Sequence, residues 1–160
     1  MNILLMILRA ARPSKTPGLQ AIVKPRWIRR GYDGMTFFGY IITHSRGDAD
    51  AMNSPSSTMR NHEMIHLYQA RSTFDSWLCF YVRYLYYWLS ISIAYPLFCR
   101  HEGRRIRHAG YWLNPFEMEA YRNMHNLHYL DDKPQGTDNW RNFARQSLTE
   151  RAMDLLRHRK

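Results

Sequence analysis

The chain has 160 residues, a net charge of +10 and an apolar content of 45%, enough for one domain with its own core and too much for wholesale disorder. The basic excess suits an anionic partner (phospholipid, nucleic acid or an acidic peptide) and equally an ordinary basic protein. The two cysteines, Cys79 and Cys99, lie in no CxxC and near no histidine at ligand spacing, so they are read as small buried hydrophobes rather than as a disulfide scaffold or a thiolate metal site.

The first residues, MNILLMILRAA, form a short apolar run with no basic region before it. They read poorly as a signal peptide and predict a first helix or a short surface anchor, with the chain in the cytoplasm or at the periphery of a membrane. Arg12 to Lys24 reads as a loop around one short strand at Ala21-Ile22-Val23. A basic stretch, Lys24 to Arg30, and a turn at Gly31-Tyr32-Asp33-Gly34 follow. Met35 to Thr43 is β-branched and aromatic, the best strand in the chain, with Gly39 as a bulge or a place of close backbone approach. Ser45 to Ser57 is polar and turn-rich and reads as a loop. Ser56, Ser57 or Thr58 is placed to cap a helix running to about Ser72.

That helix carries His62-Glu63-Met64-Ile65-His66, an HExxH run. Histidines four apart share a helix face, about 5–6 Å between Cβ atoms, close enough to bind one metal ion. Glu63 sits about 100° round the helix from His62, beside the pair, where a carboxylate can take a proton from water activated by the metal. Gln69 shares the histidine face, while Met59, Ile65 and Tyr68 are free to pack elsewhere. The plainer alternative is a surface helix with two solvated histidines.

Trp77 to Phe98 spans 22 residues with one charge, Arg83. Its length would suffice to cross a bilayer. Its Tyr and Trp content, with Arg100, Arg104, Arg105 and Arg107 just beyond, also suits a membrane boundary. A single crossing would put His62 and His66 on the opposite side from any third ligand downstream. Two crossings need about 40 residues. The segment is therefore expected to be a helix or helical hairpin in the membrane interface or the core, with Pro96 ending it or breaking its last turn.

A catalytic zinc site keeps three protein ligands and an open position. Downstream candidates for the third are His101, Glu102, His108, Glu117, Glu119, His125 and His128. Asn114-Pro115 marks a helix start, with Asn as cap and Pro in the first turn. Glu117 then occupies the position of a capping-box carboxylate, which leaves it open between cap and ligand. Glu119 lies on another face, within reach of Arg122 or Asn123.

An HExxH run followed about 50 residues later by a glutamate on a second helix resembles the gluzincin metallopeptidases, thermolysin-like and membrane-embedded CAAX-protease-like groups among them. More closely, residues 35 to 126, with NHEMIHLYQ and NPFEMEAY, look like small uncharacterised bacterial zincin-like proteins that pair an HExxHxxQ helix with an NPFExEAY helix. The resemblance implies Zn2+ held by His62, His66 and Glu117. In gluzincins an aspartate four residues after the ligand glutamate orients a ligand histidine; here that position is Tyr121, a weaker acceptor. Strand, loop and HExxH helix follow in the order of a zincin core, whose strand could pair with an extended substrate.

The expected fold is α+β: a mostly helical, zincin-like single domain over residues 1–160, with a small β-sheet ahead of the HExxH helix. The segment 77–98 is an apolar aromatic helical element within it, and 140–160 is a basic, amphipathic C-terminal helix on the solvated surface. The expected function is zinc-dependent hydrolysis of a peptide or protein substrate, with Glu63 as general base. Tyr111, Tyr121, His108 and His128 are the candidates for stabilising the oxyanion. The competing expectation is a non-catalytic zinc-binding or basic protein that attaches to an anionic membrane surface. No recognised nucleic-acid module accompanies the basic clusters. Nothing in the sequence fixes an oligomeric state.

Overall fold

The computed structural model describes residues 12–16, 18–27, 34–98 and 106–158. The expectations for Met1 to Ala11, residues 28–33, Cys99, Arg100, His101, Glu102, Arg104 and Arg105 lie outside them.

After a 3-10 turn at Pro13–Lys15, three strands form one sheet: β1 (Gln20–Val23), β2 (Gly34–Phe37) and β3 (Tyr40–Thr43). Their order is β1-β3-β2, with β1 parallel and β2 antiparallel to the central β3. The single strand expected over Met35 to Thr43 is instead a hairpin. Phe37 pairs with Tyr40, and the two residues between them, Phe38 and Gly39, have φ of 44° and 89°. Positive φ at both central positions matches the twist of the flanking strands in a two-residue turn. Gly39 therefore turns the chain rather than bulging it. Ala21, Ile41 and Thr36, paired across the three strands, are buried on one face of the sheet, and Ile42 is buried on the other.

The polar stretch after β3 is also not a loop. Arg46–Asn53 is a helix, α1, started by a capping box in which Ser45 and Asp48 exchange side-chain-to-backbone bonds. Ala49 and Met52 bury its inner face, and Asn53 Oδ1 accepts from the Ala21 N–H at 3.1 Å, tying the helix to β1.

Ser57 caps α2 (Thr58–Ser72), the HExxH helix. The aromatic segment is a single helix, α3 (Trp77–Phe98), with Pro96 inside its last turn. Among the described residues no helix is long and apolar enough to cross a membrane. Cys79 sits half-buried on α3 with a free thiol. A short helix α4 (Ala109–Trp112) returns along α3, and Asn114 and Pro115 start α5 (Pro115–Asn123). The expected single C-terminal helix is two, α6 (Trp140–Arg145) and α7 (Leu148–His158). They part at Ser147, whose hydroxyl and N–H both bond the Glu150 carboxylate while it caps the Glu150 N–H. This tail is not merely solvated: Trp140, Arg151 and Ala152 are buried, and the Arg151 guanidinium donates to carbonyls of Leu113, Ala144 and Gln146.

The architecture is thus α+β and mostly helical, with the small sheet ahead of the helices. Its centre is an aromatic cluster in which Phe116 of α5 meets Trp140 at 4.6 Å and Phe80 of α3 at 5.0 Å between ring centroids. This cluster fixes α2, α3, α5 and α6 around one point. Truncating so central a ring to alanine costs about 3–5 kcal/mol.

Candidate metal centre

Two helices bring the chemistry together. Asn61, the residue before the motif, donates its amide to the carbonyls of Met124 and Asn126 at 2.9 and 3.0 Å. That clamps the end of α5 onto α2. At the other end, Asn114 Oδ1 caps the Phe116 N–H while its amide donates to the Tyr84 carbonyl of α3. Glu117 is thereby released from capping. Its carboxylate points across to α2 instead.

His62 Nε2 lies 3.2 Å from Glu117 Oε2, and His66 Nε2 lies 3.6 Å from Glu117 Oε1. The two Nε2 atoms are 3.2 Å apart. All three side chains are buried. Donors held about 2.0–2.1 Å from one ion at tetrahedral angles are separated by about 3.3–3.4 Å, close to the nitrogen–nitrogen distance here, and one ligand atom from each of the three residues lies within 4.8 Å of the others.

The hydrogen bonding also supports that use. Gln69 donates its amide to Phe116 O and to Glu119 Oε2, both at 2.9 Å. Its Oε1 is left to accept from His66 Nδ1 at 2.8 Å. His66 therefore carries its proton on Nδ1 and turns the Nε2 lone pair inward, as a ligand must. Glu117 Oε2 has no hydrogen-bond donor. The inward lone pair of His66 and the buried Glu117 carboxylate facing it call for a positive charge between them, either a proton or a metal ion.

In the metal-free protein that cation is a proton. Burial alone would lower the His66 pKa, but the Glu117 carboxylate and, more weakly, Glu63 override it and raise it to about 9. Burial likewise works to raise Glu117, and the facing His66 and His62 win, holding it well below the usual carboxylate range.

Glu63 is buried beside the pair and accepts a hydrogen bond from the Thr36 hydroxyl of β2. β2 is an edge strand of the sheet. The Tyr81 hydroxyl lies along that edge, accepting from the Phe38 N–H at 3.0 Å and donating to Thr36 O at 3.2 Å. A substrate strand adding to β2 there would compete with Tyr81 for both groups.

Among the oxyanion candidates, the structure separates two from two. Tyr111 and Tyr121 share a hydrogen bond of 2.8 Å, and the Tyr121 ring packs edge-on to His62 at 4.5 Å between centroids. Burial first, then Glu117 and the neighbouring phenols, drive the Tyr111 pKa upward, so it stays a proton donor. His108 is exposed at a left-handed turn, and His128 is exposed and paired with Asp131 at 2.8 Å. His125 is also exposed. None of these three histidines joins the metal-ligand cluster.

Two roles differ from the sequence reading. Glu119 does not pair its carboxylate with Arg122 or Asn123. It is fully buried and accepts from Gln69, the Trp140 N–H, Tyr129 and Thr137, while Arg122 pairs with Asp154 of α7. Tyr121 packs its ring on His62 and directs its hydroxyl to Tyr111, so the position four after Glu117 supplies no acceptor to His62 Nδ1, which is buried without a partner. Support for the ligands comes instead from Gln69 and Glu119 behind His66, and from Tyr84, which donates to Glu117 Oε1 at 2.7 Å. Gln69 was signalled by its place on the histidine face. Thr36 and Tyr84 had no signal beyond their residue type.

Comparison with protein-family models, with curated proteins and with solved structures finds no match for this chain.

Proposed function

We propose that the chain is a zinc-dependent metallopeptidase of the gluzincin type, hydrolysing peptide bonds with water. The observation that carries this reading is that ligand atoms of His62, His66 and Glu117 lie within 4.8 Å of one another, two of the three residues being on the helix that also presents Glu63. Two imidazoles and a carboxylate form a donor set suited to zinc.

When bound, such an ion acidifies water and polarises a carbonyl. The remaining work falls to the chain. The Glu63 carboxylate accepts the proton of the attacking water and delivers it to the departing amine, and the Thr36 hydroxyl keeps that carboxylate in place. The coupled phenols of Tyr111 and Tyr121 are the hydrogen-bond donors for the carbonyl oxygen as charge develops on it, keeping their protons. Gln69 keeps the His66 proton on Nδ1 throughout.

Replacing Glu63 with Gln tests this directly. Hydrolysis of an unstructured protein substrate should fall about 100-fold or more with zinc content unchanged. Undiminished hydrolysis by Glu63→Gln would remove the mechanism.

The burial of all three donors favours a second reading, a metal site that holds α2 to α5 without catalysis. A zinc-loaded protein with four protein-derived donors in its X-ray absorption spectrum, and no hydrolysis, would select it.

A further inference from the structure

Among the described residues α3 packs on one side. Trp77, Phe80, Ile91 and Tyr95 face the core. On the opposite side Leu78, Val82, Leu85, Leu89, Ile93 and Leu97 are each more than half exposed. At about 100° and 1.5 Å per residue these six fall within an arc of about 120° and extend over about 29 Å. A stripe of this size is far more than scattered surface leucines.

The stripe does not stop at the helix start. Tyr81 touches the hairpin tip, its ring centroid 5.2 Å from that of Phe38. Phe37 follows at 4.8 Å, and the exposed Trp27 stacks edge-on to Phe37 at 5.6 Å. Lys24 and Arg26 are exposed beside that tryptophan. Along the flank of the helix a cleft of about 490 Å³ is lined by Arg83, Arg141 and Arg145 together with Tyr86 and Trp140. Arg141 is partnered by Asp138 at 3.0 Å, and the Arg83 guanidinium rests on the Phe74 and Trp140 rings. Arg83 is the helix's one charge, and α3 contains no carboxylate.

We infer that this face docks on an anionic phospholipid bilayer, with α3 lying in the interface plane and the arginine cleft meeting lipid phosphates. An apolar stripe bordered by cations, with aromatic rings at the border, is the composition of an interfacial helix. A second copy of the chain is the poorer occupant. It would bring +10 against +10, whereas anionic lipid neutralises the same charge. The inference stands apart from the peptidase reading. The helix nonetheless contacts the candidate site: the Tyr81 hydroxyl bonds Phe38 and the carbonyl of Thr36, the residue that holds Glu63, and Tyr84 donates to Glu117 from its buried side.

Co-sedimentation of the full chain with vesicles of phosphatidylcholine alone, or with one quarter phosphatidylglycerol, tests the docking, with and without zinc. Binding to the anionic vesicles is expected, about tenfold weaker on phosphatidylcholine, and unchanged by zinc or by Glu63→Gln. Leu85→Glu with Leu89→Glu should weaken it at least tenfold at an unchanged melting temperature. Arg83→Gln with Arg145→Gln should narrow the difference between the two vesicles. Absence of binding to both vesicles, or binding that survives the paired glutamates, would overturn the inference. So would a dimer in light scattering that the paired glutamates dissociate, or a marked loss of stability in that variant, since either means the face is already covered by protein.

Discussion

Tyr84 of α3 donates its phenolic proton to Oε1 of Glu117 at 2.7 Å, while the other carboxylate oxygen faces His62. The aromatic helix is therefore a wall of the candidate metal centre as well as a structural element. The bond fixes which oxygen of Glu117 is committed to the protein and which is free of donors. Groups that orient a ligand in this way change metal affinity by about 10–100-fold when removed. Tyr84→Phe, which keeps the ring in the aromatic cluster, should weaken zinc binding within that range in a chelator competition.

Glu119 should be one of the most sensitive positions for stability. Its buried carboxylate satisfies Gln69, Tyr129, Thr137 and the Trp140 N–H at once. Glu119→Ala removes the acceptor the four share and strands the Trp140 N–H, at a cost of about 3 kcal/mol or more. Denaturant unfolding of the metal-free protein would measure it. The same change should loosen Gln69 and so lower zinc affinity.

The pH dependence of stability should reverse on metal binding. In the metal-free fold His66 is raised from 6.5 to about 9, with burial opposing and Glu117 prevailing. A raised basic group stabilises fully below its unfolded value. That contribution is lost as pH climbs from about 6.5 towards 9, on the order of 3 kcal/mol. Glu117, held low by the same contact, ceases to contribute as pH falls below the usual carboxylate range. Zinc instead needs both imidazoles deprotonated. The rise in melting temperature on adding zinc should therefore grow between pH 6 and pH 9.

Gly110 marks where α4 crosses α3. A Cβ there would sit 2.0 Å from Ser92 Oγ and 2.6 Å from the Trp88 carbonyl oxygen. The hydroxyl can rotate away but the backbone cannot. Gly110→Ala should destabilise by about 1–3 kcal/mol in thermal or denaturant unfolding.

The elements legible in the sequence were those whose signals are local. Ser57, the HExxH spacing and Asn114-Pro115 are caps and periodicities contained within one helix, and α2 and α5 form accordingly. α1 was hidden because its Gly, Asp and Asn residues are poor helix formers. It is held by a capping box and by Met52 and Ala49 in the core. The hairpin was hidden because Phe38, a residue that rarely adopts positive φ, takes the first turn position. Spacing brought His62 and His66 forward as ligands and left Glu117 open between cap and ligand; only the resemblance to gluzincins implied it as the third, and ligand atoms of all three lie within 4.8 Å of one another. Glu119 was misread for a related reason: spacing shows only neighbours on the same helix, and its partners come from α2, the following loop and the start of α6. Tyr84 could not be singled out among the aromatics of α3, since its role depends on how that helix rotates against α5.

The central claim is that His62, His66 and Glu117 form one metal site. Its most direct test is zinc stoichiometry by equilibrium dialysis of the purified chain and of His62→Ala, His66→Ala and Glu117→Ala. The account predicts one tightly bound zinc per chain, at least 100-fold weaker in each variant, with Glu63→Gln binding as the parent does. A folded parent that binds no zinc, or a Glu117→Ala variant that binds it equally well, would contradict it.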